Sequence, residues 1–168
     1  MEWSRVNLRR IYEYALQREH EGRNFFQHNA QRMSHEAAVG IFRKLQAEEE
    51  KHIAFVEGLL RGLGSENIAP QARDDSLTAE GFFAQRADTE MLEQTVIESM
   101  VPDVTILRMA YLIERDLAEF YEMAASEAEG EAREALGALS RWERGHENLF
   151  KELHDRVYEQ YMKMPWGG

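Results

Sequence analysis

None of the 168 residues is cysteine, and only three, Pro70, Pro102 and Pro165, are proline. The first absence excludes a disulfide framework, a thiol nucleophile, an iron–sulfur cluster and cysteine-ligated zinc. The second leaves room for long helices, because few positions lack a backbone N–H donor. Long hydrophobic runs are missing too: the longest stretch without a charged side chain, residues 24–31, holds eight residues and is polar. No span of membrane thickness is present. The start of the chain, Met1-Glu2-Trp3-Ser4-Arg5, has no apolar core of the signal-peptide kind, so a cytoplasmic protein is expected. Basic residues are also short, 20 against 31 acidic ones, for a net charge of −11. That balance argues against nucleic acid and against an anionic membrane surface as partners.

What is present is apolar periodicity. With 43% hydrophobic residues the chain can bury a core, and four segments carry such residues at alternating steps of three and four. The first stripe reads Tyr12, Ala15, Glu19, Gly22, Phe26, Ala30, Met33, and the second Ala38, Phe42, Leu45, Glu49, His52, Val56, Leu59, Leu63. The third reads Leu107, Ala110, Glu114, Leu117, Tyr121, Ala124, Ala128, and the fourth Ala132, Leu136, Leu139, Glu143, His146, Phe150, Leu153, Val157. Four helices bury such stripes most simply against one another, so the fold class is all-α, a four-helix bundle in one domain over 1–168.

Helices are expected over about 4–32, 35–62, 103–127 and 131–160. Ser34 suits the cap of the second, Gly62 and Gly64 its end, Pro102-Asp103 the start of the third and Gly130 the turn before the fourth. A connection over about 65–101 is long enough to cross the bundle, with one or two short helices in it. Its apolar residues Phe82, Phe83, Met91, Leu92, Val96, Ile97 and Met100 need cover, which makes a homodimer the expected assembly.

The halves repeat. A shift of 95 lays Glu19 on Glu114 and Phe26 on Tyr121, and a shift of 94 lays Glu49 on Glu143 and His52 on His146. Each stripe therefore contains a carboxylate, two contain Glu-x-x-His, and none contains Lys or Arg. Four buried glutamates without basic partners must be protonated or hold a cation, and a metal is the economical solution. The levels agree: the midpoint of Glu19 and His52 falls beside the turn at Ser34, and that of Glu114 and His146 at Gly130. Packing the two hairpins together would bring four Glu and two His into one layer, the ligand set of di-iron and di-manganese bundles. Carboxylates with two imidazoles suit iron or manganese over a thiolate-preferring metal.

At these residues the chain resembles a known family. Glu19-His-Glu-Gly-Arg23-Asn24-Phe-Phe26, Glu49-x-x-His52, Glu114 with Tyr121, and Glu143-x-x-His146 are similar to the rubrerythrin branch of the ferritin-like di-iron proteins, over about residues 8–160. The resemblance implies two iron ions per chain, with manganese or a mixed pair as alternatives. It implies bridging by Glu49 and Glu143, terminal carboxylates at Glu19 and Glu114, and one nitrogen each from His52 and His146. Full-length rubrerythrins add a cysteine-ligated rubredoxin domain, for which there is no cysteine here. They also carry a further glutamate one turn along the third helix, where this chain has Leu117. Phe26 stands where the first helix often has tyrosine, leaving Tyr121 as the remaining hydroxyl beside the metal layer.

Other polar residues read as bland. Glu21, Glu48, Glu50, Glu122 and Glu147 are expected on solvated faces, as are the acidic runs 48–50 and 127–134. His20, His28, His35 and His154 are expected at the surface or rim. Tyr121 reads either as core packing or as a hydrogen bond to a metal carboxylate. Gly22 and Gly145 read as sites of close packing or as room for a small oxidant, and Arg23-Asn24 as a helix-surface pair. The expected reaction is oxidation of Fe(II) by H2O2 or O2, with a separate electron-donor protein returning the electrons. Iron storage without turnover and an O2-activating oxygenase are the alternatives.

Overall fold

The structure is a computed structural model describing residues 5–33, 36–64 and 104–163. The described residues form helices α1 (Arg5–Ala30), α2 (Glu36–Gly62), α3 (Val104–Glu127) and α4 (Gly130–Lys163), with no strand among them. Helix α1 packs along α2, α3 packs along α4, and α1 also touches α3, giving a four-helix bundle of two hairpins. The expected spans of about 4–32, 35–62, 103–127 and 131–160 overlie these four helices, and several of their ends adjoin residues outside the described set. No described helix is long and apolar enough to cross a membrane. The connection over 65–101 with its apolar residues, the Ser34 cap, Pro102-Asp103 and His35 lie outside the described residues.

Local chemistry closes the hairpins. Between α3 and α4 the chain reverses within Ala128-Glu129, and Gly130 takes φ +56°, a left-handed conformation in which a side chain would be strained. Arg133 reaches back from the first turns of α4, its Nε donating to the Ala128 carbonyl at 2.9 Å. This satisfies a carbonyl past the end of α3. Between α1 and α2 the amides of Arg32 and Met33 both donate to the Asn29 carbonyl, at 3.0 and 3.2 Å. Asn29 Nδ2 donates to the Phe25 carbonyl at 2.8 Å.

The core is split in two by a polar layer. On one side Phe26, Phe42 and Phe150 pack together with Leu45, Leu107, Leu149 and Leu153. The rings of Phe26 and Phe150 stack at 5.3 Å. On the other side lie Tyr12, Ala15, Val56, Leu59, Leu117, Tyr121, Leu136 and Leu139. The Glu and His positions of all four stripes fall between these clusters and are buried with them. Periodicity therefore placed the layer at mid-bundle, sealed by apolar side chains above and below.

Candidate metal centre

Each helix delivers its carboxylate to the layer. Glu19 comes from α1, Glu49 and His52 from α2, Glu114 from α3, and Glu143 and His146 from α4. All four glutamates are 0% exposed. On each of α2 and α4 the Glu and His sit three residues apart, so they project from neighbouring turns of one face. His52 Nδ1 lies 2.8 Å from Glu143 Oε1, 3.4 Å from Glu19 Oε2 and 3.8 Å from Glu49 Oε1. His146 Nδ1 lies 3.3 Å from Glu49 Oε1, 3.3 Å from Glu143 Oε2 and 3.7 Å from Glu114 Oε2. Glu49 and Glu143 thus approach both imidazoles, Glu19 approaches His52, and Glu114 approaches His146. One donor atom from each of Glu49, His52, Glu143 and His146 falls within 4.8 Å of the others. All six sequence-derived candidates meet in the layer.

The contacts are close but unbonded. Neither Nδ1 atom has a hydrogen-bond partner, and neither do both oxygens of Glu49, Glu114 and Glu143 or Oε2 of Glu19. Buried polar atoms are normally paired, and orphans need an explanation. Seven carboxylate oxygens and two imidazole nitrogens that face each other without bonding fit a centre in which their lone pairs are directed at cations. The donor set of carboxylates and imidazoles is one that iron and manganese accept.

Electrostatics make the same case. Burial, reinforced by the Glu143 and Glu49 charges, pushes Glu19 well above the usual carboxylate range. Burial with the Glu49 and Glu143 charges does the same to Glu114. At Glu143 burial also pushes upward, but the His52 and His146 imidazoles outweigh it and hold the carboxyl below its ordinary value. His52 and His146 are raised against the opposing effect of burial, the first by Glu143 and Glu49, the second chiefly by Glu114 and Glu143. Without metal, the layer balances its charge with protons.

Around this layer the structure decides several open readings. Tyr121 donates from its hydroxyl to Glu19 Oε1, so it is a partner of the centre as well as a core residue. Burial and the Glu19 charge raise its phenol well above normal. Leu117, one turn beyond Glu114, is buried in the second apolar cluster. A Cβ added at Gly22 would lie 3.4 Å from Glu49 Oε2, so this glycine lets α1 approach the carboxylate of α2 closely. Arg23 Nη2 donates to Asn24 Oδ1 at 3.0 Å, but only Asn24 is exposed: Arg23 is half-buried and its Nε is buried without a hydrogen-bond partner, so the expected surface pair is only partly at the surface.

Two expectations fail. Glu147 and Glu48 are buried, each 7% exposed, and do not lie on solvated faces. On a helix, Glu147 sits only about 40° round from Glu143, and Glu48 a similar angle from His52, so both fall at the edge of a broad stripe. They are distinguished from the layer by their partners. Arg115 Nε donates to Glu147 Oε1 at 3.0 Å and Arg144 Nη1 to its Oε2 at 2.6 Å. Lys51 Nζ donates to Glu48 Oε1 at 2.8 Å. The spacings Arg144-x-x-Glu147 and Glu48-x-x-Lys51 were the sequence signals for two of these three contacts. Glu21, Glu50 and Glu122 are exposed, as is His28, while His20 and His154 are half-buried at the rim. The sequence reading also overlooked Trp142. Its ring stacks on His52 at 5.1 Å, and His52 stacks in turn on His146 at 5.3 Å. That contact joins α4 to α2 across the two hairpins, and no period along one helix carries it.

Compared with known proteins, residues 10–154 match a family model described as rubrerythrin. No curated protein and no solved structure matches the chain.

Proposed function

The chain belongs to the rubrerythrin family, and from that premise we propose that it is a di-iron carboxylate oxidoreductase that oxidises Fe(II) with H2O2 or O2. The observation that carries this reading is the layer of orphaned carboxylate oxygens and imidazole nitrogens, closed on both sides by apolar core. In the proposed centre Glu49 and Glu143, which approach both imidazoles, would hold the two irons from the middle of the layer. Glu19 with His52 on one side and Glu114 with His146 on the other would supply the remaining ligands. When bound, the pair supplies two electrons to one oxidant: two Fe(II), one H2O2 and two protons give two Fe(III) and two waters.

The chain's own residues set the conditions for that chemistry. The phenylalanine cluster and the leucines opposite it keep bulk water from the layer, which strengthens every charge interaction within it. The protons held by Glu19, Glu114, His52 and His146 in the metal-free protein must leave for metal to bind. Tyr121 fixes the carboxylate of Glu19 through one oxygen and leaves the other for the centre. The proposed source of returning electrons is a separate donor protein, since these 168 residues include no cysteine that could ligate a second iron centre. The proposed assembly is a homodimer, and H2O2 or O2 is the proposed small-molecule partner.

Anaerobic loading with Fe(II), metal analysis and addition of limiting H2O2 test the proposal. Two irons per chain are expected, with one pair oxidised per peroxide and the reaction then at rest until a donor is supplied. A purified protein that holds no iron would overturn the reading. Sustained NADH-driven peroxide removal by the chain alone would refute the separate donor. Oxidation much faster with O2 than with peroxide would select the ferroxidase form.

A further inference from the structure

The two halves of the centre are related by the sequence repeat, but their surroundings are not equal. Glu19 receives the hydroxyl of Tyr121, whereas neither oxygen of Glu114 has a hydrogen-bond partner. The shift that lays Glu19 on Glu114 lays Phe26 on Tyr121, so the position from which a hydroxyl would serve Glu114 holds a ring without one. That ring is fully buried and stacked on Phe150 at 5.3 Å, interplanar angle 11°, and packed edge-on to Phe42 at 5.7 Å. Apolar packing has taken the place of a donor on one side only.

From this difference we infer that the centre is functionally unequal: the Glu19–His52 half holds its metal first and tightly, and the Glu114–His146 half is the weaker, exchangeable one. The inference rests on the metal reading proposed above. Its physical basis is the hydrogen bond behind the ligand. A carboxylate anchored through one oxygen presents the other in a fixed direction, so less freedom is lost when metal binds. Removal of such a supporting partner typically lowers metal affinity about 10–100-fold. Glu114 has no such anchor on either oxygen. Tyr121 is therefore a positioning residue, acting on the metal through Glu19.

Calorimetric titration with Mn(II), which needs no turnover, separates the halves by their effect on the first ion bound. Glu19→Ala is expected to weaken first-ion affinity about tenfold more than Glu114→Ala. In a Tyr121→Phe background the two losses should converge. Phe26→Tyr should strengthen binding in a chain that already carries Glu19→Ala. Glu114→Ala removes a carboxyl with no hydrogen bond, whereas Glu19→Ala leaves the Tyr121 hydroxyl without its partner, and helical circular dichroism checks that both variants fold. Crystals given one equivalent of Mn(II) supply a second measurement, anomalous scattering concentrated at Glu19–His52. Equal losses from Glu19→Ala and Glu114→Ala, or equal occupancy of the two positions, would overturn the inference while leaving a two-metal centre intact. A wild-type chain that binds no Mn(II) and no Fe(II) would overturn the metal reading itself.

Discussion

Glu143 and Glu147 lie one turn apart on α4, are 0% and 7% exposed, and have opposite surroundings. Glu147 is held by Arg115 and Arg144, at 3.0 and 2.6 Å, and is satisfied without any ligand. Glu143 has two imidazoles near it and no hydrogen bond on either oxygen. Burial alone therefore does not single out a candidate metal ligand; burial without a Lys or Arg partner does. A guanidinium supplies both charge and directed donors to a carboxylate. Where the sequence places none, the carboxylates are left for a cation. The same contrast separates Glu48, paired with Lys51, from its neighbour Glu49.

The largest expected break in this comparison is Glu143→Ala. It removes a group that approaches both imidazoles, and bound metal should fall from two ions per chain to one or none by elemental analysis. Glu147→Ala should leave metal content unchanged. Equal metal loss in the two variants would end the distinction.

Next in size is the effect of metal on stability. Ligand that binds only the folded state stabilises it by about 2.7 kcal/mol at a hundredfold excess over Kd. For a chain of this length that corresponds to a rise in Tm of roughly 5–10 °C. Mn(II) should produce this rise in the wild type and in Glu147→Ala, and not in Glu143→Ala. An equal rise in all three would mean that the stabilising ion binds elsewhere. Without metal, Glu143→Ala should melt below the wild type, because it takes away the carboxylate that the two buried imidazoles hold ionised.

A smaller change is expected from Glu147→Ala on the metal-free protein. Losing the buried end of a hydrogen-bonded ion pair should lower stability by about 1 kcal/mol, read as a Tm lower by about 2–4 °C. This exceeds the ±0.5 kcal/mol typical of an exposed glutamate. Glu122→Ala, which removes the exposed partner of Arg144 across the α3–α4 pair, should stay within that typical range. A Glu147→Ala effect no larger than that of Glu122→Ala would return Glu147 to the solvated face expected from the sequence.

These contrasts separate what was legible in the sequence from what was not. All four stripes were readable because each is a property of one helix: apolar spacing of three and four named Phe26, Phe42, Leu136 and Phe150 as core. The same spacing named the six polar residues of the layer. Matching their levels needed only the turns near Ser34 and Gly130. Contacts set by how the hairpins lean on each other were not readable. Arg115 on α3 reaches Glu147 on α4, and Trp142 on α4 covers His52 on α2. Each depends on interhelical rotation and distance, which no single helix encodes. Tyr121 stood between these cases. Its spacing brought it near the layer, and only the packing of α3 beside α1 showed that its hydroxyl goes to Glu19.

Gly22 gives the smallest expected effect and refines the comparison furthest, because fold and centre should respond in opposite directions. It sits in the interior of α1, buried, where glycine lowers helix stability by roughly 0.8–1 kcal/mol relative to alanine. The fold alone would favour Ala. An added Cβ, however, would lie 3.4 Å from Glu49 Oε2, at the tight limit of ordinary contact with a carboxylate that faces both imidazoles. In the metal-free protein that oxygen has no hydrogen bond to hold it and can give by a few tenths of an ångström. Gly22→Ala should therefore raise the Tm of the metal-free protein by about 1–3 °C. With metal the carboxylate is fixed, and the same methyl should lower Mn(II) affinity several-fold in a calorimetric titration. Gly22→Val, with two further carbons directed at Glu49, should lower it more. A Gly22→Ala variant that binds Mn(II) as tightly as the wild type would show that the glycine serves helix packing alone.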